Sequence, residues 1–340
     1  MPSMAKAPHF CMQSPPRKDQ ISQEQFRLLD HFLRVARENR VIEPGGSLEG
    51  NPVCLRRLVF PTVSQLSLLG IADIEAKRLV GQQKFDNVSF RSVDFSQSDL
   101  DFSVWSKCHF QEAKFDRASL QSCRFFGCGF TECSFVGTNC ANGSFSVEID
   151  GSETSFHRCL FENTKFRGVS WCKPTFTKTS FIRCRFSKGE FDGASFEASR
   201  FVGNYEELSF RGDASIGQRN RLDIDMTGAD VAWLHANHGV DLAGLRLLPN
   251  GPSMVIQRRG DAIPILVRRL VSERKDAGAV AYMLENIFTE KSVSPLSSSQ
   301  QTVFISARMI QELDETLTKD QAVVLLQTIR RIAVDEGFAG

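Results

Sequence analysis

The chain lacks most of the short motifs that would announce a function. Its 340 residues contain no G-x-G-x-x-G, G-x-x-x-x-G-K-[ST], G-x-S-x-G or H-E-x-x-H. The dinucleotide, P-loop, hydrolase and zinc-protease readings therefore lose their usual support, and neither catalysis nor a cofactor is expected. Ten cysteines occur without a single C-x-x-C pair, which removes the usual zinc-finger spacing. No window approaches the roughly 18 apolar residues of a membrane span, and the start has no continuous apolar run of a secretory signal. The expectation is a soluble, cytoplasmic, bacterial protein with residues 1–20, rich in Pro, Ser and Lys, as a disordered tail. An excess of charge is also missing: 41 Lys and Arg face 40 Asp and Glu. Nothing in that balance attracts nucleic acid or an anionic membrane, and neither is an expected partner. Tyrosine is nearly absent, with 2 against 28 phenylalanines.

The phenylalanines are where the information lies. Large apolar residues, with one cysteine, fall on every fifth position at Phe85, Phe90, Phe95, Leu100, Trp105, Phe110, Phe115, Leu120, Phe125, Phe130, Phe135, Cys140 and Phe145. After an irregular stretch they resume at Phe156, Phe161, Phe166, Trp171, Phe176, Phe181, Phe186, Phe191, Phe196 and Phe201. Two residues before most of them stands a small or β-branched residue, such as Val88, Ala113, Cys128, Thr164 or Ser199. An α-helix rotates by about 140° in five residues and would scatter this series over every face. A flat strand changes face at each odd step. A chain that turns a corner every five residues brings all of them to one axis.

This pattern resembles the pentapeptide-repeat family, whose motif is a small residue two places before a Phe or Leu with polar residues elsewhere. The resemblance implies a mainly β fold, a right-handed quadrilateral β-helix with four repeats per coil and roughly six coils. Phe85, Trp105, Phe125 and Phe145 would then share one wall, and Phe90, Phe110 and Phe130 the next. The organisation expected is a helical N-terminal cap over 21–84, the solenoid over 85–215 and a mostly helical unit over 216–340. In the cap, residues 22–39 read as an amphipathic helix with Ser22 and Gln25 as a capping box. The C-terminal unit reads as a strand near 254–257 and helices near 262–273, 276–289, 303–314 and 319–334, the last capped by Thr318 and Gln321.

Six cysteines (Cys108, Cys123, Cys128, Cys133, Cys159 and Cys184) occupy the small inward position. A metal or redox array is one reading; core packing in a reducing compartment is favoured, because successive repeats lie on different walls. His235 and His238, three apart, would share a helical face if their segment were helical, as a metal site would want.

The solenoid's charge is uneven, with five Lys/Arg against seven Asp/Glu from Phe85 to Phe145 and nine against four from Phe156 to Phe201. Lys165, Arg185, Arg183, Arg158 and Lys178 form a candidate basic patch for an acidic partner, weighed against scattered solubilising charge. Eleven residues separate Phe145 from Phe156 where two repeats take ten. One extra residue is expected to bulge outward with Glu148, Asp150 and Glu153 projecting together, and deleting Gly151 to restore the ladder. By resemblance to topoisomerase-binding members, whose repeats are interrupted by a functional loop, this is the candidate contact. Three functions follow: a non-catalytic protein-binding scaffold, with a second copy meeting the C-terminal helices as one form of partner; a DNA-mimicking modulator of a type II topoisomerase such as gyrase; or a secreted bacterial effector carrying a repeat module.

Overall fold

The computed structural model describes residues 83–339 except 149, 188–189, 213–221, 238–239, 258, 275–276 and 289–301. Before 83 it describes Leu29, Phe32, Leu33, 41–42, 53–55, Leu58 and Phe60. The chain divides into two compact units, Met1–Val169 and Ser170–Gly340.

In the first unit the chain winds into a four-sided coil. Three-residue strands pair in parallel with the strand twenty residues later, Phe85 opposite Trp105, Trp105 opposite Phe125 and Phe125 opposite Phe145 on one wall. On the next wall Phe90 faces Phe110, and Phe110 faces Phe130. Along a wall the rings lie face to face, Phe110 on Phe130 at 4.8 Å and 6°, whereas neighbours on adjacent walls meet edge to face, Phe125 and Phe130 at 5.4 Å and 70°. Both are favoured arrangements of ring quadrupoles. The axis is thus filled by buried Phe85, Phe90, Phe95, Trp105, Phe110, Phe115, Phe125, Phe130, Phe135, Phe145, Phe156, Phe161 and Phe166. Of the expected N-terminal helix, Leu29, Phe32 and Leu33 are helical and buried, and Phe32 packs on Phe85 at 5.5 Å. Its cap at Ser22 lies outside the described residues. Two short strands accompany it, Val41–Ile42 beside Ser89–Phe90 and Val53–Cys54 beside Val93–Asp94.

Each corner is made by the residue two places after the large one. Asn87, Ser92, Gln97, Phe102, Lys107, Glu112, Arg117 and Ser122 all have positive φ, between 47° and 64°. A left-handed backbone costs a side-chain-bearing residue about 1–2 kcal/mol. The corner N–H is aimed at the next coil in return: Asn87 donates to Ser106 O at 2.9 Å, Lys107 to Phe126 O at 2.8 Å and Glu112 to Thr131 O at 2.8 Å.

Where the small inward position carries Cys, Ser or Thr, it also donates a hydrogen bond. Its side chain reaches the carbonyl of the large residue one coil earlier: Cys128 Sγ donates to Trp105 O at 3.3 Å, Cys133 Sγ to Phe110 O at 3.3 Å and Thr138 Oγ1 to Phe115 O at 2.7 Å. A thiol is small, apolar and able to donate, so cysteine meets all three demands. Among the described residues no three His, Cys, Asp or Glu are grouped as metal ligands would be.

The second unit repeats the pattern with buried Trp171, Phe176, Phe181, Phe191, Phe196 and Phe201; Phe186 is only half-buried. Parallel pairing continues beyond the expected end near 215. The strand Ser195–Arg211 pairs with Leu222–Asn237, which pairs with Leu245–Arg246 although the five-residue period has faded. Leu222, Ile224, Met226 and Val231 are buried there instead of phenylalanine. His235 therefore lies on a strand, opposite Ser209, and not on the helix a two-histidine site required; His238 is outside the described residues.

The C-terminal part of this unit places Ser253–Ile256 antiparallel to Val303–Ser306 and adds helices Arg259–Glu273, Gly278–Phe288, Ala307–Leu313 and Lys319–Asp335. The helix expected from 303 is thus a strand first, because Val303, Phe304 and Ile305 are all buried and pair edge to edge. The Thr318–Gln321 capping box forms. The last helix turns Leu325, Leu326, Ile329 and Ile332 into the unit's own core. No helix among the described residues is long and apolar enough to cross a membrane.

Two outcomes test this account. Phe125→Ala should lower unfolding free energy by about 3–5 kcal/mol, read from denaturant melts, because the stacked coils leave no route for the cavity to collapse. Burial pushes the Cys123 thiol up to about 12 and raises those of Cys128 and Cys133 as well, so at pH 8 a thiol reagent should leave these three inward cysteines unlabelled until the protein is denatured.

Candidate functional site

The ladder's single irregularity builds the most distinctive surface of the first unit. Phe130 pairs with Phe156, 26 residues on, where Phe110 pairs with Phe130 after 20. The eleven residues from Phe145 to Phe156 therefore replace one five-residue step, and the insert is six residues long, not one. Spacing alone could not tell these apart, since eleven is both two repeats plus one and one repeat plus six. Deleting Gly151 would leave five extra residues and would not restore the ladder.

The insert, residues 147–152 with 149 outside the described residues, folds down over the two preceding coils. Glu148 N–H donates to Ser152 O at 2.8 Å and Gly151 N–H to Glu148 O at 2.9 Å, with Gly151 at φ +88°. Thr154 latches the base, its hydroxyl donating to Ser146 O at 2.7 Å. Below, Ser106 Oγ donates to Glu148 Oε2 at 2.8 Å and Lys107 Nζ pairs with Asp150 Oδ2 at 2.7 Å. The seat is Gly127, where a Cβ would stand 3.0 Å from both Glu148 Cβ and Ser152 Cβ. The hydrogen bond and charge of Asp150 raise the Lys107 pKa; the Asp150 carboxyl is held well below its usual range by Lys107 and by Ser152.

The three acidic residues thus do not project together. Glu148 and Asp150 are tied to the coil, and Glu153 is exposed with no ion pair among the described residues. Beside the loop lies an open groove of about 660 Å³, bordered by Lys107, Gln111, Ser152 and Glu153. Its floor is low because Gly129 carries no side chain: a Cβ there would meet His109 Nδ1 at 2.9 Å. Arg158 pairs with Glu132 at 3.0 Å, and Lys165 is exposed in the same unit. Lys178, Arg183 and Arg185 are exposed in the second unit, the first two at left-handed corners. The candidate basic residues are therefore divided between the units.

Residues 94–131, which run up to this groove, match the family model for pentapeptide repeats in eight copies. This stretch of the chain consists of pentapeptide repeats. Among solved structures the chain is similar to HetL, a pentapeptide-repeat protein involved in heterocyst differentiation regulation in the cyanobacterium Nostoc sp. strain PCC 7120. The identity is 10% and the TM-score 0.34, over 64% of this chain and 96% of that one. It is also similar to full-length QnrB1, a plasmid-mediated fluoroquinolone resistance protein, at 16% identity and TM-score 0.20 over 58% and 93% of the two chains. Rfr23 from the cyanobacterium Cyanothece 51142 is similar at 11% and 0.15, over 54% and 99%. At these values the likenesses say nothing about function. No curated protein matches the chain significantly.

Sequence reasoning did not find Ser106, Lys107 and Gly127 as the seat of the loop. Their only signal is a lysine and a glycine at the same corner in successive coils, which means little until the loop is known to lie there.

The clamp should respond to pH in one direction. Asp150's carboxyl is held below its ordinary 3.8, so the contact is complete above about pH 4 and is lost as pH falls through the lowered folded value. Asp150→Asn at pH 7 should speed hydrogen exchange at the Glu148 and Gly151 amides, as acidification does in the parent, while the Phe110 and Phe130 amides stay protected.

Proposed function

We propose that this protein is a non-catalytic scaffold that binds another protein through the walls of its coil. The observation that carries this reading is the clamped loop. Its six residues are dispensable to the winding: joining Ser146 to Glu153 leaves Ser-Glu-Thr-Ser between Phe145 and Phe156, a regular repeat with Thr154 at the small position. Yet the coil gives up a side chain at Gly127 to seat the loop and commits Ser106 and Lys107 to hold it. A fixed ridge that the fold does not need belongs to recognition, because a preorganised surface loses little entropy on binding.

The charge pattern supports a protein partner over imitation of duplex DNA. Carboxylates at the corner above the groove are already engaged, Glu112 by the Ser92 hydroxyl and Glu132 by Arg158. A DNA mimic would present such groups in unpaired rows.

Deleting residues 147–152 should give a folded, cooperatively melting protein that loses its partner in cross-linking of native extract. Partners retained undiminished by this variant would remove the loop from the reading. A full-length chain that cross-links to nothing would contradict the scaffold itself.

A further inference from the structure

Phe102 occupies a left-handed corner at φ +64° and is 61% exposed. The other left-handed corners carry polar or charged residues, alanine or glycine. A large apolar side chain there serves neither backbone nor core: the corner would be easier for Asn or Gly, and the ring contributes nothing to the buried axis. It opens the wall that carries Trp105 and Phe125 on its inner side. On the outer side of that wall Val104 and Phe126 are half-buried, and Lys84, Val104 and Arg124 align in register from coil to coil. Lys84 and Arg124 are exposed and form no ion pair among the described residues. Other charges beside this wall are Asp86, in the neighbouring column beside Ser106, Glu148, which is held by the Ser106 hydroxyl, and the Lys107–Asp150 ion pair at the following corner.

We propose that this wall docks an acidic amphipathic helix of a partner protein, a reading that rests on the scaffold function. Phe102 and Phe126 would pack against its apolar stripe, with Lys84 and Arg124 each meeting a carboxylate. The two cations are two coils apart, about 9.5 Å at the usual strand spacing. One heptad of α-helix advances about 10.5 Å and returns to the same face. Carboxylates at i and i+7 with a leucine between them therefore match the Lys84, Val104 and Arg124 column. Residues of an extended peptide three apart also span this distance, but they point to opposite sides. Aromatic and arginine side chains together are the usual anchors of such contacts.

The test is fluorescence anisotropy of the full chain with three labelled helical peptides. One carries glutamates a heptad apart with leucine between, the second replaces each glutamate by lysine, and the third replaces each leucine by serine. The first should bind, at least tenfold more tightly than the other two. Phe102→Asn, which suits the left-handed corner, and Arg124→Ser should each weaken it at least tenfold without lowering the melting temperature. Failure of the first peptide to bind, equal binding of the lysine peptide, or indifference to both substitutions overturns the proposal. A native partner lost on deleting 147–152 but kept by Phe102→Asn and Arg124→Ser would remove this wall and leave the scaffold reading standing.

Discussion

Each coil of the first unit must present its backbone groups in register with the next, and that pairing is what the rest of the structure depends on. A parallel ladder between coils of equal length fixes twenty residues per turn, and therefore a corner every fifth residue. The corner demands a left-handed backbone, which L-residues resist. The N–H it frees is claimed by the coil that follows, as with Lys107 and Phe126 O. Without a neighbouring coil the corner would be strained and its amide unsatisfied, so no repeat is stable by itself.

The same constraint explains the inward residues. Once the walls are fixed, the axis admits one large and one small side chain per repeat, and rings stack face to face because the coils are one strand spacing apart. Where the small residue is Cys, Ser or Thr it also donates to the carbonyl below, a bond that the Ala of other repeats cannot make. Cys123 illustrates the consequence. Held between Leu100 O at 3.0 Å and Ser103 Oγ at 3.3 Å, its thiol is a structural donor and a poor nucleophile.

Rigid periodicity makes departures from it informative. An insertion into the ladder cannot be absorbed by small shifts, since moving the later residues by one place would turn every ring outward. It must be expelled as a loop, and whether that loop then dangles or is fastened is decided by the coil beneath. Here Gly127 makes room and Lys107 and Ser106 make the attachments. Phe102 is a departure of another kind, an aromatic out of phase with the ladder whose side chain the coil cannot take in.

The sequence by itself determined the winding. The five-residue period places Phe125 over Trp105 whatever else the chain does, because equal coils admit one register, and the capping box of the last helix is likewise local chemistry at Thr318 and Gln321. Beyond Phe210 the signal weakened because mixed aliphatic residues such as Ile224 and Met226 fill the coil as well as phenylalanine does, leaving no period to read. What only tertiary structure decided is the length and posture of the insert. Eleven residues are consistent with two divisions of the ladder, and the pairing of Phe156 with Phe130 selects one. Glu148 and Asp150, which as sequence look like a free acidic cluster, are tied down by side chains about forty residues away that composition and spacing do not connect. Long-range contacts of this kind depend on which coil lies beneath which, and that follows from the stacking of walls, not from any local pattern.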